Sequence, residues 1–561
     1  MSISNARLAL ACLGALLSLA SACARSPREA APGYDVLIVG GTIVDGTGVT
    51  PYRGDVAIRG DRIVAMTRGS LRTARAARTI DATGRIVAPG FIDLHAHLEP
   101  LDRMPDAESH VRQGVTTALG GPDGAGPTPL ASYLAARERD GVGMNVGYLV
   151  GHNTVRRAVM GMARRAPTSD ELARMRDLVE QELVAGAFGL STGLKYLPGA
   201  WATIDEVVEL AAVAARHGGI YTSHLREEGL ALLDGVREAI DIGRRAQLPI
   251  VLTHHKVVGT PMWGRSVETL ALVDSANANG IETWLDVYPY TATHTGISVL
   301  VPEWAFDGGD SAFARRMQLP ATRDSVVQGI VFNILNDRGG GELRRVQFSR
   351  FRSQPQLEGK TLHDWAVQRG LAPTPESGAA LVIEAVTAGG ANAIFHVLDE
   401  RDVQRILRHP RAMVASDGRL SRPGDGHPHP RAYGTFPRAL ARYVRDERLL
   451  TIEEAVRKMT SMPAARMGLR DRGTLRVGAF ADVVVFDAAR IADRSTFDAP
   501  HQYPEGIDWV LVNGRPAVAD GRFVGGRAGR VLRRQDGGAT GARTPRRPDG
   551  AVQTRRSSTS R

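Results

Sequence analysis

The sequence predicts an α/β protein, a (β/α)8 TIM-like barrel that carries a small β-sandwich domain built from both termini. Three observations predict it. Eight β-like runs follow one another through the middle of the chain, each leading into helical sequence. Shorter β-rich runs flank that middle on both sides, and the residues with the strongest chemistry close the β-like runs, as a barrel mouth requires.

Taken in chain order, residues 1–23 have the layout of a bacterial secretory signal: Arg7, an apolar stretch over 8–19, then Ala20-Ser-Ala-Cys23. The stretch is too short to span a bilayer, which takes about 20 residues. Leu19-Ala-Ser-Ala-Cys23 resembles a lipobox, so the expectation is an exported protein, periplasmic or anchored to the membrane through a lipid on Cys23. The chain's two cysteines, Cys12 and Cys23, both lie in this segment, which leaves the mature protein without a disulfide or a thiolate ligand.

After a linker at 24–33, the runs 34–44, 55–64 and 79–87 are punctuated by Gly-Gly, Asp-Gly and Gly-Asp turns, and the same style returns at 481–486 and 508–514. One sandwich from residues 34–90 and 466–525 is the economical assignment. Between them, residues 91–465 give the barrel, with β-like runs at 91–97, 115–119, 145–150, 187–191, 219–224, 249–254, 282–288 and 411–417. The helices at 169–185 and 203–216 show apolar residues at three- and four-residue spacing and acidic first turns. The long gap before the eighth run, with Gly339-Gly-Gly341 and mixed signals over 302–378, reads as an inserted subdomain or lid.

The net charge of +10 invites a nucleic-acid reading, but the tail at 526–561 holds ten arginines against two aspartates, so the body is nearly neutral. That Gly/Arg/Ser/Thr/Pro tail has almost no apolar periodicity and is expected to be disordered, with no nucleic-acid partner.

Asp93-Leu-His95-Ala-His97 closes the first barrel run, and strand alternation would put Asp93, His95 and His97 on one face. An HxH pair alone is a weak signal, but His224, His254 and Asp417 each close another run. Strand ends converge at one barrel mouth, and four imidazoles with a carboxylate suit zinc or a similar borderline metal, hence hydrolysis.

These residues, with Gly90-Phe-Ile-Asp-Leu-His-Ala-His97, Gln113-Gly-Val-Thr-Thr117, Gly151-His-Asn-Thr154, Gly189-Leu-Ser-Thr-Gly-Leu194, Ser223-His-Leu-Arg226, Thr253-His-His-Lys256, Asp286-Val-Tyr-Pro-Tyr290, Ser416-Asp-Gly418 and His427-Pro-His-Pro-Arg431, carry a family likeness. Over residues 34–525 the chain resembles the amidohydrolase superfamily, and within it the N-acyl-D-amino-acid deacylase (D-aminoacylase) family. The resemblance implies one or two zinc ions, with His95 and His97 at one position and His224 and His254 at the other. It implies Asp417 as the catalytic carboxylate, and Lys256, Tyr288 and Arg431 as the groups that hold the α-carboxylate of a small N-acyl amino acid. Relatives place a cysteine ligand after strand two; here Asp123 of Gly120-Gly-Pro-Asp-Gly124 falls at that point, a harder donor able to ligate or bridge.

The carboxylated lysine of other superfamily branches has no counterpart at the end of strand four, and Lys195 reads as an ordinary loop lysine; His152, His255, His396, His427 and His429 read as structural. The function expected is hydrolysis of N-acyl-D-amino acids to a carboxylate and a free amino acid. The rivals are a cyclic amidase or dipeptidase on the same barrel, and a non-catalytic envelope binding protein.

Overall fold

The computed structural model describes residues 33–534. The expectations for the signal segment 1–23, for nearly all of the linker and for the tail beyond 534 lie outside the described residues.

The terminal domain forms around the strand Tyr34–Ile43, whose two halves have different partners. Residues before Gly40 pair in parallel with Ala76–Asp81, while Thr42 and Ile43 pair with Ile86–Pro89. The register against the antiparallel neighbour Tyr52–Arg59 breaks between Ile38 and Gly41, and Gly40 takes φ +72°, a conformation glycine adopts without strain. Val483–Phe486 then pairs antiparallel with Ile86–Pro89 and brings in the carboxy-terminal hairpin Ile507–Val512 and Arg515–Ala519. Both ends of the chain thus build one nine-stranded sheet. Ile38, Val56, Ile63, Ile80 and Val87 from the amino-terminal share pack on Val483, Val485 and Leu511 from the carboxy-terminal one. Leu475, Ala479 and Ala481, ahead of Val483, join the same core, while the helix Ser461–Met467 turns Met462 and Met467 into the barrel.

The barrel strands are Phe91–Asp93, Val115–Gly120, Asn145–Tyr148, Gly189–Gly193, Ile220–His224, Ile250–Leu252, Thr283–Val287 and Ala412–Val414. Neighbours pair in parallel, and the third passes from its second-strand partner to the fourth at Leu149, continuing as Val150–Gly151. Gly418–Arg419 pairs with Ala96–His97 and Asp417 N donates to His95 O at 2.9 Å, which closes strand eight onto strand one. Each turn of the barrel contributes one interior side chain: Ile92, Leu119, Leu149, Phe188, Ile220, Val251, Trp284 and Met413 form a single cluster. The outer helices hold their places by caps and apolar stripes. Thr168 and Glu171 make a capping box on Ser169–Val184, which buries Met175, Val179 and Leu183.

Two sequence expectations change. The insertion is larger than 302–378: its first strand, Thr293–Gly296, starts soon after barrel strand seven and pairs with Asn392–Phe395, which also pairs with Val346–Arg350. Apolar runs on both sides of the predicted boundaries therefore belong to its own core, with Ile297, Leu300, Phe348, Trp365, Leu381 and Phe395. The segment expected to be disordered from 526 is ordered to 534. Its backbone bridges Gly529 to Val142 and Val531 to Val146, Arg530 pairs with Asp61 at 2.5 Å, and Leu532 joins the barrel's interior cluster. Arginine-rich composition hid two apolar residues that find an open strand edge at the barrel floor.

Candidate metal centre

The residues at the barrel mouth are aimed by unusual backbone. Asp123, His254 and Asp417 all have left-handed φ, at 55°, 36° and 49°. Such a conformation costs on the order of 1 kcal/mol or more for a residue with a Cβ, and it lets a side chain leave a strand end inward. His224 needs no such turn, since it is the last residue of its strand.

Two donor groups result, and Asp123 belongs to both. His95, His97, Asp123 and Asp417 form one; Asp123, His224 and His254 form the other, with the atoms of each within 4.8 Å of one another. Asp123 Oδ1 lies 3.5 Å from His95 Nε2 and 3.4 Å from His254 Nε2, while Oδ2 lies 3.6 Å from His97 Nε2 and 3.9 Å from His224 Nδ1. Asp417 Oδ1 is 3.1 Å from His97 Nε2 and 3.5 Å from His95 Nε2. His224 Nδ1 and His254 Nε2 approach to 2.7 Å. Asp93 is not part of either group. The first strand ends at Asp93, and the bend at residues 94–95 breaks the alternation, so Asp93 accepts hydrogen bonds from the Ser416 amide and hydroxyl and from His95 N instead.

This cluster fits a divalent cation. His95 Nε2 and Asp123 Oδ1, which face each other across the donor group, are buried without a hydrogen-bond partner among the described residues, a costly state that a cation would relieve. Burial disfavours charge on His95, yet Asp123, Asp417 and Asp286 around it push its pKa up to about 10, which marks a surplus of negative charge. The donors are imidazoles and carboxylates with no thiolate, a set matched to zinc and its borderline neighbours.

A further set of carboxylates orients the rings. Glu99 Oε1 lies 3.0 Å from His97 Nδ1, leaving Nε2 to face Asp417 and Asp123, and Glu99 is itself held by Arg419 at 2.7 Å. Glu228 lies 3.3 Å from His254 Nδ1 and 3.4 Å from His224 Nε2, and it pairs with Lys256 at 2.5 Å and Arg338 at 3.0 Å. Asp286 accepts from His254 N at 2.6 Å. Sequence reasoning missed Glu228, Glu99, Arg338 and Tyr196, whose ring centroid is 4.5 Å from that of His224. Glu228, four residues past a strand-terminal histidine, carried a readable signal; Arg338, inside the insertion, carried none.

All five expected metal-side positions and Asp417 meet at this site, and Lys256, Tyr288 and Arg431 line the same cavity of about 1060 Å³. Arg431 pairs with Asp417 Oδ2 at 2.8 Å and its guanidinium carbon sits 4.7 Å above the Tyr288 ring. Among the described residues the Tyr288 hydroxyl has no hydrogen-bond partner. Burial raises the Asp417 carboxyl, but Arg431, His95 and His97 hold it well below the usual carboxylate range. Lys195 lies in neither donor group and pairs with Glu227 at 2.7 Å. His152 meets Glu206, His255 meets Thr269, His396 meets Gln347, His427 meets the Phe497 carbonyl and His429 the Ala292 carbonyl.

Known proteins resemble this chain over most of its length. The sequence model of the amidohydrolase family matches residues 78–263 and 350–518. D-aminoacylase of Alcaligenes xylosoxydans xylosoxydans is 39% identical over 525 residues, covering 89% of this chain and 98% of that protein. N-acyl-D-glutamate deacylase of the same organism is 39% identical over 527 residues, covering 89% of this chain and 96% of that protein. The crystal structure of N-acyl-D-glutamate deacylase from Bordetella bronchiseptica, complexed with zinc and a phosphonate mimic of the tetrahedral intermediate, superposes with a TM-score of 0.76 at 36% identity, covering 89% of this chain and 99% of that one. The chain belongs to the amidohydrolase family and, within it, to the group of the D-aminoacylase and N-acyl-D-glutamate deacylase enzymes.

Proposed function

We propose that this chain is a metal-dependent N-acyl-D-amino-acid deacylase, hydrolysing the amide to a carboxylate and a free D-amino acid. The observation that carries the reading is the pair of donor groups sharing Asp123, set beside a buried Arg431 that faces the cavity. His95 and His97 with Asp123 and Asp417 would hold one ion, and His224 and His254 with Asp123 a second; the relative's zinc complex supports zinc. When bound, such an ion polarises the amide carbonyl and acidifies water.

Asp417, kept ionised, takes the proton of the attacking water and delivers it to the departing amine nitrogen. Arg431 supplies a fork for the α-carboxylate, the free Tyr288 hydroxyl adds a donor, and Lys256 adds a charge from beside His254, 2.6 Å from Nζ to Nδ1. The substrate's carboxylate thus fixes the scissile amide over the donor groups.

The reading further holds that the protein is exported and, through Cys23, lipid-anchored; the apolar stretch 8–19 and the lipobox-like Leu19-Ala-Ser-Ala-Cys23 support it. Mass analysis of the mature amino terminus from a bacterial envelope fraction tests that part.

The catalytic test is amine release from paired N-acetyl-D- and N-acetyl-L-amino acids by zinc-loaded, metal-quantified protein. Release from the D series is expected, and Asp417→Asn should lower kcat by about 10²–10⁴-fold, the range of a general acid–base group. Release from neither series at full metal loading would overturn the substrate class.

A further inference from the structure

The left-handed backbone of Asp417 is fixed on both sides, and both flanks lead to Asp93. Asp417 N itself donates to His95 O at 2.9 Å. Ser416, the residue before it, donates its amide to Asp93 Oδ1 at 3.0 Å and its hydroxyl to Asp93 Oδ2. Gly418, the residue after it, donates its amide to that same Ser416 hydroxyl at 2.8 Å, so the far flank reaches Asp93 through one oxygen. Asp93 Oδ1 also accepts from His95 N at 3.2 Å. A single carboxylate thus sits between the backbone of His95 and the turn that carries Asp417.

Asp93, Ser416 and His95 are fully buried. Asp93 belongs to neither donor group, and the nearby His110 Nε2 stands 3.8 Å from its Oδ2, beyond hydrogen-bond reach. Its oxygens serve the ends of barrel strands one and eight. A left-handed φ in a residue with a Cβ persists where the surroundings over-determine it, and this clasp does so for Asp417. The fit is close: a Cβ on Gly418 would lie 2.8 Å from Ser416 Oγ and 3.2 Å from Arg431 O.

We propose that Asp93 and Ser416 are a positioning pair for the deacylase reaction, holding the backbone that aims the Asp417 carboxylate at the attacking water and the departing amine. The inference rests on the deacylase reading and adds to it two residues that act through Asp417. Arg431 and His97 fix the carboxylate oxygens of Asp417 from the cavity side, at 2.8 Å and 3.1 Å, while the clasp fixes its main chain from behind. Among the described residues neither Asp93 nor Ser416 hydrogen-bonds to Arg431, Tyr288 or Lys256, so the clasp governs proton transfer rather than capture of the α-carboxylate.

Two variants test this. Asp93→Asn keeps the shape but sets an NH2 against a donor in either orientation, and Ser416→Ala removes only the hydroxyl that links Gly418 to Asp93. In metal-quantified, zinc-loaded enzyme acting on an N-acetyl-D-amino acid, kcat should fall by about 10–100-fold in each, the cost of misplacing a reacting group by about 1 Å. KM should stay within about two-fold of the native value, because ground-state binding is untouched. A crystal structure of Asp93→Asn, or of Ser416→Ala where the first does not fold, should show Asp417 displaced by about 0.5 Å or more from its native position.

Native kcat in both variants would overturn the proposal, even with a lowered Tm, since the pair would then only brace the fold. A rise in KM that matches the fall in kcat would overturn it too, by showing that the clasp shapes the whole mouth. Absence of turnover in the native enzyme would sink the deacylase reading, and the position of Asp417 in the variant crystal would still decide whether the pair aims it.

Discussion

Arg431 and Asp417 form a buried ion pair, 2.8 Å from guanidinium nitrogen to Oδ2, so the group that would seize the substrate's carboxylate also holds the catalytic carboxylate ionised. The two tasks are coupled. A substrate carboxylate that draws on the Arg431 fork weakens its hold on Asp417 and raises the basicity of Asp417 as the complex forms. Arg431→Lys keeps the charge but loses the fork and the planar contact with Tyr288. KM should rise about ten-fold or more with a smaller change in kcat, as expected for loss of a bidentate contact. Steady-state kinetics on an N-acyl-D-amino acid decides; an unchanged KM removes Arg431 from substrate binding.

Asp123 holds its place through Gly124. Gly124 has φ +76°, and a Cβ there would lie 2.2 Å from Asn153 Oδ1 and 2.7 Å from Gly193 N. Gly124→Ala must therefore displace the turn that aims Asp123, although the substitution is remote in chemistry from any donor. Metal bound per chain after dialysis should drop, and Asp123→Asn should reproduce that drop, because both donor groups lose their common member. Full metal retention in both variants would show that Asp123 is only a turn residue.

Much of this site was legible because a barrel collects strand ends. His95, His97, His224, His254 and Asp417 could each be placed from a short β-like run alone, and the structure brings them to one mouth. What stayed hidden depends on contacts between distant segments. Arg338 reaches Glu228 across 110 positions of sequence, and no local pattern encodes that. The insertion extends past 302–378 for a related reason: Thr293–Gly296 lies outside those bounds and is tied to it only by pairing with Asn392–Phe395. The alternation that seemed to join Asp93 to His95 failed at a bend, which periodicity does not register.

Lys458 gives a pH-dependent handle on stability that lies away from the site. Its Nζ is buried and donates to the His409 and Ala412 carbonyls, at 2.5 Å and 2.9 Å. Burial lowers its pKa to about 8, against an ordinary value of 10.5. Between those values the folded chain binds fewer protons than the unfolded chain, so stability rises with pH from about 8 and the full gain is present above 10.5. As pH falls through 8 the gain is lost. Denaturant titrations at pH 7 and pH 10 should show this rise, on the order of 1–3 kcal/mol, in the native chain and not in Lys458→Met, when the two are compared as a difference. An identical pH slope in both would remove Lys458 as its cause.

Arg338 ties the insertion to the second donor group. Its guanidinium is buried and pairs with Glu228 Oε2 at 3.0 Å, and Glu228 in turn faces His224 at 3.4 Å and His254 at 3.3 Å. A carboxylate behind metal-binding imidazoles orients the rings and sets which nitrogen is free, and loss of such a partner typically costs 10–100-fold in affinity, roughly. Arg338→Met leaves Glu228 with Lys256 as its remaining charged partner, and that ammonium lies 2.6 Å from His254 Nδ1. Glu228 is then free to move with Lys256 and release both rings. The ion expected between His224 and His254 should weaken by about 10–100-fold. The ion at His95 and His97, oriented by Glu99 and Arg419 on the other side of Asp123, should hold. Metal content measured across a series of buffered free-zinc concentrations separates the two, because a selective effect yields one ion lost early and one retained. Equal weakening of both would mean that the insertion braces the whole mouth rather than this pair of histidines.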